Sequence, residues 1–341
     1  ALAAAARGGV LFKGGSALET LAEVRTFAFD KTGTLTTGRA EVTGIVSDLP
    51  QEAFLALVAG LEGQSEHPVA EAIRRHAAER AVTPEPMRNV VTIPSEGIQG
   101  VDADGADVWA GNPRMIARMS AGIDCPALLA LAETSETVIY VGQGDRLLGA
   151  ITVADRPRAT SAEALAALRS DGVERLVMMT GDRRPVGLRI GAVLGFGPDD
   201  VHSDLLPEDK VRLVGELCND GRVAFVGDGV NDAAALARSD IGIAMGVAGS
   251  EVALQAADVA LLSDDMERLA AARRLARRTR RVIRQNLAFA LTAMVVLVGA
   301  GLFLSLPLPL AVLGHEGGTV LVVLNGLRLL RDPIRSDRRR T

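Results

Sequence analysis

From Leu287 to Gly314 the chain carries no charged side chain. A core helix of a soluble domain does not run that long, whereas the hydrocarbon core of a bilayer takes roughly 20 apolar residues per helix. Leu287 to about Leu306 therefore reads as one span, and about Leu308 to Leu330 as a second, after the break at Pro307 and Pro309. The two form a hairpin. Arg273, Arg274, Arg277, Arg278, Arg280, Arg281 and Arg284 precede it, and Arg328, Arg331, Arg335 and Arg338 to Arg340 follow. Positive charge at both outer ends predicts that both ends face the cytoplasm.

The polar bulk upstream obeys different constraints. With 341 residues the chain has length for two or three domains. A net charge of -5 argues against a protein that coats nucleic acid, because that task needs surplus cations to displace counterions. Two cysteines, Cys125 and Cys218, supply neither a disulfide framework nor zinc spacing, which fits a reducing compartment. Lysine occurs only at Lys13, Lys31 and Lys210, although arginine is abundant. Where either cation serves, this chain uses arginine, so a retained lysine marks a place for a compact ammonium. The opening A-L-A-A-A-A-R-G-G-V lacks the pattern of a secretory signal and reads as a cut end.

A short apolar run, Thr26 to Phe29, ends abruptly in Asp30, Lys31, Thr32 and Gly33, as a strand feeding a polar loop does. From about Thr43 to Ala150 the composition shifts to two helical stretches, Gln51 to Leu61 and Val69 to Arg80, and then Gly-rich strand-like segments. This reads as an inserted domain. Strand candidates then recur at Arg175 to Met179, Val223 to Val226, Ile241 to Ala244 and Val259 to Leu262, separated by helix-like segments. Such alternation predicts an α/β fold with a doubly wound parallel sheet.

The loop D-K-T-G-T-L-T, residues 30 to 36, lies at the carboxyl end of the first strand, where open parallel sheets bind ligands. A carboxylate there can attack phosphorus, giving an aspartyl-phosphate on Asp30, with Lys31, Thr32, Gly33 and Thr34 lining the loop. Phosphatases of this general fold commonly carry a second Asp two residues after the nucleophile. Thr32 cannot do that proton work, so the acyl-phosphate should live longer. Three further segments are expected to converge on Asp30: T-G-D at Thr180, Gly181 and Asp182; Lys210; and G-D-G-V-N-D at 227–232, with Asp228, Asn231 and Asp232. Asp30 and Asp228 offer hard oxygen ligands to magnesium. Thr180 and Lys210 can offset charge on phosphoryl oxygens.

In this order D-K-T-G-T-L-T, T-G-D and G-D-G-V-N-D resemble the phosphorylation domain of P-type ATPases. The resemblance implies a haloacid-dehalogenase-like domain interrupted by an α+β nucleotide-binding domain. It further implies that ATP phosphorylates Asp30, with magnesium on Asp30, Asp228 and the Thr32 carbonyl. D-R-P-R at Asp155 to Arg158 resembles the family's hinge on return from the insertion. S-E-H-P at Ser65 to Pro68, with Glu62 upstream, is similar to the His-Pro motif of the heavy-metal branch, putting His67 near adenine. P-S-E-G-I-Q-G resembles its glycine-rich loop, matching at Gly97 and Gly100 but with Ser95 in place of the usual first glycine. Gly111 and Asn112 resemble a further part of that pocket.

In the hairpin, H-E-G-G-T resembles the signature of the cobalt- and zinc-associated subgroup, which makes His315, Glu316 and Thr319 ligands for a transported ion. Ionisable groups at that depth are costly and should face a cavity or partner helices. Imidazole, carboxylate and hydroxyl suit divalent cobalt or zinc better than copper(I). Cys125-Pro126 lies in a polar stretch and reads as structural rather than as a membrane Cys-Pro site.

The expected divisions are thus a preceding stalk end at 1–18, phosphorylation domain at 19–42 and 149–270, nucleotide-binding domain at 43–148, basic stalk at 271–286, two membrane helices at 287–330 and a cytoplasmic tail at 331–341. The chain is expected to be the carboxyl-terminal portion of a multi-pass plasma-membrane pump, because no T-G-E actuator loop and no earlier metal-site helix occur in it. The actuator domain and earlier helices of the same pump are then its partners, with ATP, a transition-metal ion and the bilayer, and without nucleic acid. A copper(I) pump, a soluble phosphatase of the same fold and a catalytically silent nucleotide-binding module are the rivals.

Overall fold

The computed structural model describes residues 1–123, 125–134, 136–228, 232–246, 255–303, 307–331 and 334. It divides into two compact units, Ala1–Leu35 with Arg158–Thr341, and Thr36–Pro157.

In chain order the first unit opens with α1 (Leu2–Arg7), β1 (Val10–Phe12), α2 (Gly15–Glu23) and β2 (Thr26–Asp30). The second unit follows as β3 (Thr36–Ser47), α3 (Gln51–Leu61), α4 (Pro68–Glu79), β4 (Arg88–Ile93), β5 (Gly97–Val101), β6 (Asp107–Gly111), α5 (Pro113–Arg118), α6 (Pro126–Ala130), β7 (Thr137–Gln143) and β8 (Arg146–Pro157). The first unit resumes with α7 (Ser161–Ser170), β9 (Arg175–Met179), α8 (Arg184–Leu194), β10 (Val201–His202), α9 (Pro207–Asp220), β11 (Val223–Gly227), α10 (Ala233–Arg238), β12 (Ile241–Ala244) and β13 (Val259–Leu261). Two long helices close it, α11 (Glu267–Phe303) and α12 (Leu308–Leu327).

The sheet of the first unit has the order β1-β13-β12-β11-β2-β9-β10, parallel except for β1. Successive strand residues point to opposite faces. Phe27 and Phe29 therefore join the core with α2, α7, α8 and α11, while Ala28, Val177 and Phe225 join a second core beneath α9 and α10. Burial on both faces explains why these strands read as unbroken apolar runs.

The second unit is a six-stranded antiparallel sheet, order β3-β8-β7-β6-β5-β4. Val108 and Ala110 pack toward α3 and α4 on one face, and Trp109 packs with Met115 of α5 and Leu128 of α6 on the other.

Three expected boundaries move. The inserted unit spans Thr36–Pro157 rather than 43–148, because β3 and β8 are 12-residue strands paired from Thr36↔Pro157 to Ser47↔Gly149. The composition shift at Thr43 falls in mid-strand. The phosphorylation unit begins ahead of residue 19, because β1 and the start of α2 lie within residues 1–18. Val10 is fully buried, and β1 pairs antiparallel with β13 to close the sheet edge. Stalk and first span are one uninterrupted helix, α11, of 37 residues.

Helices α11 and α12 are both long and apolar enough to cross a bilayer, and their most apolar windows are not buried by protein. Gly314 lies against Leu297, and Gly318 against Phe289. Of the expected tail, residues 332, 333 and 335–341 lie outside the described residues.

Candidate active site and ligand pocket

Asp30 ends β2 and is 5% exposed. Removing a carboxylate from water disfavours its charge. Burial first, then the neighbouring Asp232, push Asp30 up to about 6, against the pull of Lys210. Lys210, from the first turn of α9, donates to Asp30 Oδ1 at 2.6 Å and to Asp232 Oδ1 at 2.8 Å. Burial works to lower its ammonium, but the two carboxylates outweigh this and raise it. Burial likewise raises Asp232. Lys31, 4% exposed, pairs with Asp182 at 2.7 Å. Two of the chain's three lysines therefore stand in this one cluster.

The loop Lys31–Leu35 turns through an extended Thr32 and through Gly33 at φ +74°, a left-handed conformation that glycine adopts without a Cβ clash. Asp228 approaches the open side of Gly33. Thr180 is buried, takes a backbone bond from its N–H to the His202 carbonyl, and accepts the Asp182 N–H on Oγ1 at 3.0 Å. Gly181 follows at the exposed turn. Thus ion pairs join Lys210 to Asp30 and Asp232, and Lys31 to Asp182, with Thr180 bonded to the Asp182 backbone and Asp228 beside Gly33. The side chain of Thr32 is exposed, and Thr34 is fully buried. Asn231 lies outside the described residues.

Asp232 Oδ2 and Thr34 Oγ1 are buried and have no hydrogen-bond partner among the described residues. No group of three or more carboxylate, imidazole or thiolate side chains forms a ready-made metal cage among those residues. Magnesium keeps several waters and takes only one or two carboxylates, so the hard oxygens of Asp30 and Asp228 beside an unpartnered Asp232 oxygen fit that ion.

The sequence gives little sign of what holds the loop from behind. Arg158 donates from Nε to the Thr34 carbonyl at 3.0 Å and from a terminal nitrogen to the Gly33 carbonyl at 2.6 Å. Ser161 Oγ donates to the Leu35 carbonyl at 2.8 Å.

In the second unit Glu62, Ser65, His67, Gly97, Gly111 and Asn112 line one cavity of about 340 Å³, walled by Val69, Ile93, Ile98, Val138 and Ile139. Gly97 and Gly111 are cross-strand partners. A Cβ on Gly97 would collide with the Ala110 carbonyl, and one on Gly111 with the Glu96 carbonyl, so the wall is backbone by necessity. Ser95 adopts φ +64°, which explains why the resembling loop ordinarily has glycine there. His67 caps α4, its Nδ1 accepting the Val69 N–H at 3.2 Å. Asn112 caps α5 through Oδ1 and donates to the Ser95 carbonyl at 2.9 Å. Burial raises Glu62.

Gly100 is the exception. It is not among the cavity's lining residues, and its missing Cβ faces Leu61, Val90 and the Arg88 carbonyl, so its smallness serves the packing of α3 on the sheet.

In the hairpin His315 and Thr319 share one helix face, one turn apart, with Thr319 Oγ1 donating to the His315 carbonyl at 3.2 Å. Both line an apolar groove of about 530 Å³ between α11 and α12, while Glu316 is exposed beside it.

Comparison with known proteins agrees with this anatomy. Residues 24–240 match the haloacid dehalogenase-like hydrolase family. A cadmium/zinc-transporting ATPase, HMA2, of Oryza sativa subsp. japonica is 41% identical over 97% of the chain. A manganese-exporting P-type ATPase of Mycobacterium leprae is 41% identical over 96% of it. The crystal structure of a zinc-transporting PIB-type ATPase in its E2.Pi state superposes on 97% of the chain at 39% identity with a TM-score of 0.88. The chain spans 31% and 46% of the lengths of those two relatives and 54% of the solved chain. A parallel sheet with Asp30 at a strand end and Lys210 and Asp232 gathered beside it, together with the match over residues 24–240, places the chain among the haloacid dehalogenase-like hydrolases.

Proposed function

We propose that this chain supplies the phosphorylation, nucleotide-binding and hairpin parts of a plasma-membrane pump that uses ATP to export a divalent transition metal from the cytoplasm. The observation that carries the reading is Asp30 Oδ1, buried at a strand end and held 2.6 Å from Lys210, with a threonine rather than an acid two residues on. An Asp30 oxygen attacks the γ-phosphorus of ATP. The bond from that phosphorus to the β–γ bridging oxygen breaks, and ADP leaves with the electron pair. Lys210 offsets the charge gathering on the phosphoryl oxygens, and Thr180 donates to them. Asp30, Asp228 and the Thr32 carbonyl would hold magnesium, whose contribution when bound is further neutralisation of that charge. Glu62, His67, Gly97, Gly111 and Asn112 receive the nucleotide.

His315, Glu316 and Thr319 are read as ligands of the transported ion. Their nitrogen and oxygen donors favour zinc or cobalt over copper(I). Zinc, cadmium and manganese in the names of relatives support a divalent cargo. Positive flanks put both ends of the hairpin and the polar units in the cytoplasm, and the greater length of the relatives supports a chain that works with further helices and an actuator domain.

Phosphoenzyme formation from labelled ATP in the full-length pump tests this, comparing zinc, cobalt, cadmium, manganese and copper(I), with Asp30→Asn as blank. The expected result is a hydroxylamine-sensitive phosphate stimulated by a divalent ion and lost in Asp30→Asn. Stimulation by copper(I) alone would overturn the ligand reading, and turnover without a trapped phosphate would return a phosphatase.

A further inference from the structure

Arg158 uses all three of its side-chain nitrogens. Two hold the carbonyls of Gly33 and Thr34, and the third, a terminal nitrogen, meets Asp264 Oδ2 at 3.1 Å. The guanidinium is 13% exposed and Asp264 62% exposed. A planar fork with five donors on three nitrogens can hold three oxygens spread over two elements, a spread that the single nitrogen of an ammonium does not reproduce. Asp264 stands three residues before α11. The same short segment is tied a second time, since Thr160 Oγ1 accepts the Met266 N–H at 3.3 Å, and Asp265 Oδ1 accepts the Glu267 N–H at 3.0 Å to start the helix. Residues 158–161 therefore hold the Asp30 loop on one side and the root of α11 on the other. Beyond that root α11 continues unbroken for 37 residues, about 55 Å at 1.5 Å per residue, into the hairpin.

We infer that Arg158 is a positioning residue that couples the charge on Asp30 to the stalk helix, by sharing one guanidinium between the loop carbonyls and Asp264. This rests on the phosphorylation of Asp30 proposed above. Phosphorylation adds negative charge at the far side of that loop. When the loop carbonyls shift in response, the hold of Arg158 on Asp264 changes, and the root of a rigid rod changes with it. The other cations of the site do not serve, since Lys31 and Lys210 end on carboxylates of the site itself.

The experiment uses the full-length pump, with beryllium fluoride and magnesium as the mimic of the phosphorylated carboxylate. Amide hydrogen exchange is followed over residues 267–276, together with metal-stimulated ATP turnover. In the wild type beryllium fluoride changes exchange there severalfold. Asp264→Asn, an exposed isosteric change, keeps the phosphoenzyme level within twofold, loses the exchange response and lowers metal-stimulated turnover about tenfold. Asp264→Glu restores both. Arg158→Lys, which keeps the charge but cannot span three partners, also loses the exchange response. An intact response in Asp264→Asn and Arg158→Lys, alongside normal phosphoenzyme, overturns the relay and leaves the ATPase reading standing. A wild type that forms no phosphoenzyme overturns that reading itself, and the relay with it.

Discussion

The two candidate sites of this chain solve opposite problems. At Asp30 charges are buried and made tolerable by one another, with two lysines against four carboxylates gathered from the ends of different strands. In the inserted unit the cavity is walled by aliphatic side chains and by backbone brought close through two facing glycines. The first site is electrostatic and the second steric. The Asp30 site should therefore fail when a charge is removed at constant volume, and the cavity when an atom is added at constant charge.

Lys210→Met gives the largest expected effect. It keeps the stem and deletes the ammonium, leaving Asp30 and Asp232 unneutralised. Phosphoenzyme formation should fall about 100-fold to 1,000-fold, the range seen when one preorganised charge stabiliser is removed, while ATP affinity of the inserted unit stays within twofold. A parallel loss of ATP binding would erase the distinction between the sites.

The second test uses pH. The folded-state carboxyl of Asp30 is raised to about 6 from an ordinary 3.8, so the folded state binds the proton more tightly than the unfolded state does. Stability is therefore lost as pH rises from about 4 to 6, and the whole penalty, about 3 kcal/mol at most, is present above 6. Asp30→Asn carries no charge to penalise. Its unfolding midpoint in urea should exceed the wild type at pH 7.5, and the gap should close near pH 4. A gap independent of pH would place its origin in packing.

The smallest effects belong to the cavity, and they have opposite signs. Gly111→Ala drives a methyl into the Glu96 carbonyl and Met115, and should weaken ATP binding about tenfold by calorimetry with phosphoryl transfer from bound ATP unchanged. Ser95→Gly relieves a left-handed serine and should stabilise the inserted unit by about 1 kcal/mol. A stabilising Gly111→Ala would show that the backbone gives way there.

What the sequence announced was mostly local or periodic. The parallel strands were legible because burial on both faces leaves unbroken apolar runs, and the Asp30 loop because polar residues interrupt one of them. The edge strand Val10–Phe12 was not, since its partner β13 lies about 250 residues away and its three residues follow an alanine-rich, helix-like stretch. The ends of the insertion were missed for a related reason. Strands β3 and β8 leave the first unit with half-exposed faces, so no change in composition marks Thr36 or Pro157. Gly100 was assigned by motif register, but it lies outside the cavity lining, and its open side meets Leu61 and Val90 of the core. Arg158 carried a hinge-like motif and no hint of the carbonyls it holds.

The placement of β2 in its sheet also sets an order of events during synthesis. Its neighbours β9 and β11 both lie beyond the inserted unit in sequence, whereas that unit is contiguous and pairs its own strands. On a ribosome that delivers the amino end first, the strand bearing Asp30 emerges early and has nothing to pair with until the whole insertion has been made. The inserted unit has all of its strands by then and can already be folded. The nucleophile therefore acquires its ion-paired surroundings late in the life of the nascent chain, when β11 and Asp232 have followed Lys210 out of the exit tunnel.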